Sequence, residues 1–303
     1  MSDEELLAGG NVAGEVMRVG MTVRKPSTLA TRSVETFLEH LHKSGFAGAP
    51  RTLGRDEQGS HVLEYIPGST IDKPHLLSNE DLTRIGRLIR DLHDAAQSFV
   101  PPADAEWNVA IQPDSKSMIC HNDLGPWNLV RSGDRFVFID WDGSGPASPL
   151  WDLAYAAQSF VPLISGGKPE ADAVRLKCFV DGYELEEAQC ERLPGTMVDR
   201  TRAMYRLLED GARTGTQPWA RLYAEGHGRY WEQAADYVER HLSMWEAALA
   251  KTSRLYPTSQ NRDVGTQMCG GPKCGDSSPL AQNDGAVVMR LLDEQECDHQ
   301  RDR

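Results

Sequence analysis

The chain has 303 residues, 40% of them hydrophobic and 25% charged, with a formal net charge of -13. This length and composition suit one bilobal unit or two small globular domains. The sequence has no run of about 18 apolar residues that would predict a membrane span. The acidic N-terminal residues lack the layout of a secretory signal, so we expect a cytoplasmic protein. The acidic balance opposes nucleic-acid binding, which needs Lys and Arg against phosphates; it suits a cationic substrate or merely maintains solubility.

The segment 9–25 predicts a glycine-bearing β-hairpin. Small residues come first, and two short β-prone runs are joined through Gly20. Without side chains, glycines let backbone N–H groups approach phosphates closely, although an ordinary hairpin has the same pattern. Arg24 and Lys25 point to opposite faces if the strand reaches them, and Pro26 then ends it.

A helix and two further strands complete this first part of the chain. Apolar residues at helical spacing predict a helix from Thr31 to Lys43, and the strands follow between 49 and 65. Pro67 and Gly68 mark a natural break. Beyond this break, Ser78 and Asp81 have the spacing of a capping box and predict the start of a helix with an apolar face. A proline-containing extended connection then leads to the most informative segment.

That segment, 118–142, has two short apolar runs that each lead into acidic residues. Asp123 follows the first run, Asp140 follows the second, and Asn128 lies between them. A turn through Ser132, Gly133 and Asp134 predicts a hairpin that returns the chain, so that Asp140 emerges beside the other two residues.

This layout predicts a phosphotransfer site. Moving a γ-phosphoryl group requires positioning and charge neutralisation more than covalent partners. One carboxylate must orient the acceptor hydroxyl and take its proton, while an amide oxygen and a second carboxylate hold Mg²⁺ on the nucleotide phosphates. Asp123, Asn128 and Asp140 match these roles in order, with Asp123 as the catalytic base and the other two as metal ligands.

Three sequence blocks together resemble the aminoglycoside phosphotransferase family of small-molecule kinases. They are His121-Asn-Asp-Leu-Gly-Pro-Trp-Asn128, Ile139-Asp-Trp-Asp142 and Trp151-Asp-Leu-Ala-Tyr155. The resemblance covers roughly residues 9–249. It implies a kinase-like fold, ATP as the phosphoryl donor, Mg²⁺ as the cofactor and a small-molecule hydroxyl as the acceptor. It also implies supporting roles within the catalytic loop for His121 and Asp152.

The resemblance further implies contacts with the nucleotide. A strand cation should hold the α- and β-phosphates, and Arg24 is preferred to Lys25 because family members have a similar strand ending. Glu35, on the predicted helix, would pair with that cation, or be a solvated helix residue. The segment from Glu64 to Ile66 resembles the hinge, where backbone groups would bind the adenine edge.

The remaining chain predicts a helical substrate lobe followed by a tail. Three or four amphipathic patterns lie between 171 and 250, including 197–208 and 227–250. Four acidic residues there are candidates for a cationic substrate, or form a solvated helix face: Glu209, Asp210, Glu225 and Asp236. Residues 251–303 contain few large apolar residues and predict disorder. The six cysteines include no Cys-x-x-Cys pair and are expected to be reduced thiols.

We therefore predict an α+β, bilobal, protein-kinase-like fold with a small antiparallel β-sheet lobe and a larger, mainly helical lobe. The expected domains are a nucleotide-binding lobe at 1–67, a catalytic and substrate lobe at 68–250 and a tail at 251–303. The predicted function is ATP-dependent phosphorylation of a small-molecule hydroxyl, with an aminoglycoside, and hence antibiotic resistance, as one possibility. Alternatives are a metabolic kinase for choline-, homoserine- or macrolide-type acceptors, and a nucleotide-binding protein without useful catalysis. No nucleic-acid or membrane partner is expected.

Overall fold

The structure is a computed structural model and describes residues 4–7 and 16–250. The glycines of the predicted hairpin that precede Val16, the predicted tail at 251–303 and three of the six cysteines lie outside the described residues. Among the described helices, none is long and apolar enough to cross a membrane.

The first lobe is an antiparallel sheet with one helix. Its elements are β1 (Glu4–Leu7), β2 (Val16–Val19), β3 (Thr22–Lys25), α1 (Thr31–Lys43), β4 (Thr52–Arg55) and β5 (His61–Glu64). The strand order is β1-β2-β3-β5-β4. The turn between β2 and β3 contains Gly20 at a φ of 60°, a conformation that glycine adopts without strain. Helix α1 has the predicted bounds and buries Val34, Phe37, Leu38 and Leu41.

A glycine at the end of this lobe is required by close packing. Gly68 has a φ of 147°, and a Cβ atom there would lie 2.2 Å from the carbonyl oxygen of Arg131. Any other residue would therefore strain the backbone and push apart the two segments that meet here. The position of the domain boundary next to it stays a prediction.

The second lobe combines short strands with most of the helices. Its elements are β6 (Ser69–Thr70), α2 (Asn79–Ala96), β7 (Met118–Cys120), β8 (Leu129–Ser132), β9 (Arg135–Phe138), β10 (Gly145–Ala147), α3 (Pro149–Phe160), α4 (Pro169–Tyr183), α5 (Glu187–Thr214), α6 (Trp219–Leu222), α7 (Gly228–Arg240) and α8 (Leu242–Leu249). Strands β6, β8 and β9 form one sheet, and β7 pairs with β10. The predicted α+β architecture, with a small antiparallel sheet and a larger helical part, is confirmed.

Two helices in this lobe differ from the sequence prediction. The predicted 197–208 pattern is the middle of the 28-residue helix α5, which continues through Pro194. The pattern predicted at 227–250 is divided at His241 into α7 and α8. Helix α2 begins as predicted, because Ser78 and Asp81 form a reciprocal capping box.

Candidate active site

The side-chain amide of Asn128 forms two hydrogen bonds within the predicted catalytic loop, residues 121–128. Its Nδ2 donates to Oδ2 of Asp123 at 2.8 Å and to the Asp123 carbonyl oxygen at 3.0 Å. Asn128 ends a short 3-10 helix that Pro126 begins, directly before β8. The five-residue spacing therefore brings the two polar side chains into direct contact.

Ile139 joins this loop to the second acidic segment. Its backbone N–H donates to the carbonyl oxygen of Asn128 at 2.8 Å. Its carbonyl oxygen lies 3.1 Å from Nε2 of the buried His121, and Nδ1 of that ring accepts from the backbone N–H of Asp123 at 3.3 Å. In this geometry Nδ1 accepts and Nε2 donates, so both ring nitrogens hold loop backbone, which is a supporting role. Asp140 follows with a left-handed φ of 57°.

Asp152, on α3, accepts hydrogen bonds from the backbone of the loop. It is fully buried, and its two carboxylate oxygens accept the backbone N–H groups of Asn122 at 2.8 Å and His121 at 3.2 Å. His93 lies 3.1 Å from the same carboxylate and 2.7 Å from the hydroxyl of Tyr183. Because its oxygens are occupied by these groups, Asp152 supports the loop and is poorly suited to bind a metal.

The side chains of Arg24 and Lys25 project from opposite faces of β3, and Lys25 contacts the second acidic segment. Its Nζ lies 3.1 Å from Oδ1 of Asp140 and 2.7 Å from Oδ2 of Asp142. Burial lowers the pKa of Lys25, but the two carboxylates outweigh it and raise that pKa above its ordinary value. Arg24 projects from the opposite face of the strand, is 39% exposed and pairs with Asp56 at 3.5 Å. The structure thus does not bring Arg24 to the other predicted site residues.

Glu35 is also placed differently from the prediction. Its carboxylate lies 3.3 Å from Nε of Arg55, on β4, and 4.0 Å from Nε2 of His61, on β5. The predicted pair with Arg24 is not formed, because Arg24 pairs with Asp56. The other strand cation, Lys25, is directed towards the second lobe.

The predicted hinge, Glu64 to Ile66, begins at the last residue of β5. The backbone N–H of Glu64 donates to the carbonyl oxygen of Arg51, and that of Tyr65 donates to Met21. In the described chain, no backbone carbonyl accepts the N–H of Ile66. Ile66 therefore retains a donor for a ligand, whereas the Glu64 donor is used inside the sheet.

The environment of Asp123 raises the pKa of its carboxyl group. Burial, together with the nearby charge of Asp140, raises the pKa of the Asp123 carboxyl. Tyr155 forms a hydrogen bond with this carboxyl group. Burial and the Asp123 charge raise the pKa of Tyr155 well above its ordinary value, so its hydroxyl stays protonated and donates.

Sequence reasoning assigned no role at the site to Asp142, Tyr155 or Arg200. Asp142 was detectable two residues after Asp140, and Tyr155 closes the third sequence block. Arg200 lies at helical spacing from the buried Leu193 and Met197, so a charge on an apolar stripe was the available signal. Its guanidinium lies over the Tyr155 ring, with its carbon 4.2 Å from the ring centroid.

The four acidic candidates for a cationic substrate all have partners on their own or neighbouring helices. The contacts are Glu209 with the Tyr205 hydroxyl at 3.0 Å, Asp210 with Arg213 at 2.9 Å, Glu225 with Arg221 at 3.0 Å and Asp236 with Arg202 at 2.8 Å. These contacts are of the surface type that stabilises a helix weakly. They support the solvated-face interpretation.

The chain is similar to known proteins in sequence and in fold. The model of the "Phosphotransferase enzyme family" matches residues 104–188. The Trifolitoxin immunity protein of Rhizobium leguminosarum bv. trifolii is 30% identical over 270 residues, which cover 82% of this chain and 100% of that protein.

Solved structures agree in fold. A choline/ethanolamine kinase family protein from Mesorhizobium loti has a TM-score of 0.56 at 18% identity, covering 82% of this chain and 92% of that one. The amicoumacin kinase hAmiN, in complex with AMP-PNP, Ca²⁺ and Ami, has a TM-score of 0.58 at 14% identity, covering 77% and 88% respectively. The chain therefore belongs to the phosphotransferase enzyme family, which includes the aminoglycoside phosphotransferases predicted from its motifs, and is a kinase-like enzyme that acts on a hydroxyl acceptor.

Proposed function

We propose that the protein transfers the γ-phosphoryl group of ATP to a hydroxyl of a small molecule, with Mg²⁺ as cofactor. One observation carries the proposal. Lys25, on the small sheet, forms ion pairs with Asp140 and Asp142 next to the hydrogen-bonded side chains of Asp123 and Asn128. A cation, acidic oxygens and a base in one place are what phosphoryl transfer requires.

The residues present fit a magnesium ion. Both Nδ2 hydrogen bonds of Asn128 go to Asp123, which leaves its Oδ1 for a cation. Asp140 and Asp142 add carboxylate oxygens and already share one cationic partner, Lys25. Oxygen ligands of this kind suit Mg²⁺. Asn128 and Asp140 would hold the ion, with Asp142 as a further ligand, and the ion would neutralise charge on the phosphates.

Asp123 is the proposed general base. Its carboxylate is oriented by Asn128 and Tyr155, and its raised pKa makes it a better proton acceptor than an ordinary aspartate. It would orient the acceptor hydroxyl and accept its proton as the oxygen attacks the γ-phosphorus.

For the nucleotide, we propose Lys25 as the residue that binds the phosphates, in preference to Arg24. Lys25 is the β3 cation next to the proposed metal ligands, whereas Arg24 is paired with Asp56 on the other face. The free N–H of Ile66 is the proposed donor to the adenine edge, and we propose the Glu64 carbonyl as the acceptor.

For the acceptor, an antibiotic or toxin is favoured over a metabolic alcohol. The relative whose whole length this chain matches is named the Trifolitoxin immunity protein, whereas the choline/ethanolamine and amicoumacin kinases share only the fold and do not discriminate between acceptors. The case for a polycationic aminoglycoside is weaker, because the four acidic candidates are paired on helix surfaces. Aminoglycosides remain one class to be tested, together with trifolitoxin, macrolides, choline and amino-alcohols.

The test is ADP release from ATP with Mg²⁺ in the presence of each acceptor, with Asp123→Asn as the matched inactive variant. We expect acceptor-dependent turnover by the parental protein and a large loss in the variant. ATP binding without turnover for every acceptor class would instead support the nucleotide-binding protein without catalysis.

A further inference from the structure

Arg200 is a buried cation beside the catalytic loop. It projects from α5 and is only 3% exposed. Its Nη2 donates to the carbonyl oxygen of Asn122 at 3.1 Å. Asn122 directly precedes Asp123 and has a left-handed φ of 66°.

The rest of the guanidinium group is held by aromatic rings. The central carbon lies 4.2 Å from the centroid of the Tyr155 ring and 5.6 Å from that of Trp151. Nε and Nη1 are buried without a hydrogen-bond partner among the described residues. Contact with ring faces compensates part of the cost of burying this charge.

This environment is unusual for a purely structural arginine. No carboxylate of the described chain forms a salt bridge with it, and a buried apolar side chain of similar size would pack at lower cost. Both residues that it contacts most closely, Asn122 and Tyr155, are directly linked to Asp123. Asn122 is its neighbour in the chain, and the Tyr155 hydroxyl donates to its carboxylate.

We propose that Arg200 is a positioning residue that fixes the orientation of Asp123 through two routes. It fixes the backbone before Asp123 by its hydrogen bond to Asn122. It also fixes the ring of Tyr155, and thereby the hydroxyl that donates to the carboxylate. Helix α5, in the second lobe, thus determines the orientation of Asp123, the proposed base.

The ring of Tyr155 has a second packing contact that limits its freedom. It stacks on Trp231, of α7, with centroids 5.6 Å apart and an interplanar angle of 13°. Arg200 and Trp231 together leave the ring little surface for an acceptor, so Tyr155 acts on the base and not as a binding platform for an ammonium group.

The experiment compares Arg200→Lys, Arg200→Met and Tyr155→Phe with the parental enzyme, using kcat and KM for the acceptor at saturating ATP. Arg202→Met is the matched control, because Arg202 lies two residues away on the same helix and pairs with Asp236 on the surface. We expect kcat to fall about 10- to 100-fold in Arg200→Met, since small misplacements of a reacting group have effects of this size. KM for ATP, measured in a second series at saturating acceptor, should change little.

Two further results separate positioning from a structural role. Arg200→Lys should restore part of kcat, because it keeps the charge. The losses in Arg200→Met and Tyr155→Phe should not multiply in the double variant, because both act through the same carboxylate. Thermal melting of all variants measures the structural contribution.

The inference rests on the proposed function, and the two can fail separately. Absence of acceptor-dependent turnover in the parental protein would reject the proposed function and this role with it. Parental turnover with an unchanged kcat in Arg200→Met would reject the role of Arg200 alone. Fully multiplicative losses with Tyr155→Phe would reject the route through Tyr155. The conservative Arg200→Lys and Tyr155→Phe variants keep the test valid if Arg200→Met does not fold.

Discussion

The catalytic loop and the end of strand β3 bring charged groups to the same place, but they are held by different interactions. Asp123 is fixed by hydrogen bonds from Asn128 and Tyr155, all within the second lobe. Lys25 is fixed by two ion pairs to Asp140 and Asp142, which connect one lobe with the other.

This difference predicts different consequences of nucleotide binding. The hydrogen bonds of the loop involve neither phosphates nor metal, so they can persist when ATP binds. The ion pairs of Lys25 must be shared with, or replaced by, the phosphates and the metal ion. Changes in the loop should therefore affect the chemical step, and changes at β3 should affect nucleotide affinity.

The largest expected effect is that of Asp123→Ala. Loss of the general base should lower kcat by about 10²- to 10⁴-fold, or about 3 to 5 kcal/mol of barrier. Nucleotide affinity, measured by calorimetry, should remain close to the parental value, because Asp123 is proposed to bind the acceptor and not ATP. Parental turnover in the purified variant would exclude Asp123 as the base.

The next effect distinguishes the two neighbouring cations of β3. Lys25→Met should weaken ATP binding by about 10- to 100-fold, because a buried charge beside the phosphates is lost. Arg24→Met is the matched control and should change ATP affinity less than about twofold, because Arg24 is half-exposed and paired with Asp56. The reverse order of effects in calorimetry would restore the original assignment of Arg24.

The contrast between these two regions also explains what could be predicted from sequence. The Asp123 and Asn128 contact lies within one short loop, so spacing was sufficient to predict it. The choice between Arg24 and Lys25 depends on which face of β3 is turned to the second lobe, a tertiary property. The partners of Glu35 depend on the same orientation. Arg200 was missed because it reaches the loop from a helix about 80 residues further along the chain, a separation that local spacing cannot predict.

A smaller effect concerns the support of the loop. Asp152→Asn should lower the free energy of unfolding by about 1 to 3 kcal/mol, because the carboxylate accepts two backbone N–H groups, and the amide can replace only part of these bonds. Chemical denaturation measures the change. The surface variant Asp181→Asn, which loses only an exposed pair with Lys177, is the matched control. Equal stabilities of the two variants would contradict the support role.

The smallest expected effect is the acid sensitivity of the first lobe. His61, on β5 beside Lys25, is 1% exposed, and its Nδ1 has no hydrogen-bond partner in the described chain. Burial, with the charges of Lys25 and Arg55, lowers the pKa of His61 from 6.5 to about 4. Because the unfolded chain binds this proton more readily, stability should fall as the pH decreases from about 6.5 towards 4.

The expected loss from this histidine is about 1 to 2 kcal/mol between pH 8 and pH 5. His61→Gln should reduce the pH dependence by that amount, because the Gln amide lies near the position of Nε2 and can keep the hydrogen bond to Thr52, but does not titrate in this range. The exposed His75→Gln is the control, measured by denaturation at both pH values. If both variants retain the parental pH dependence, titratable groups other than His61 cause the acid sensitivity, and the proposed cost of protonating this buried histidine is wrong.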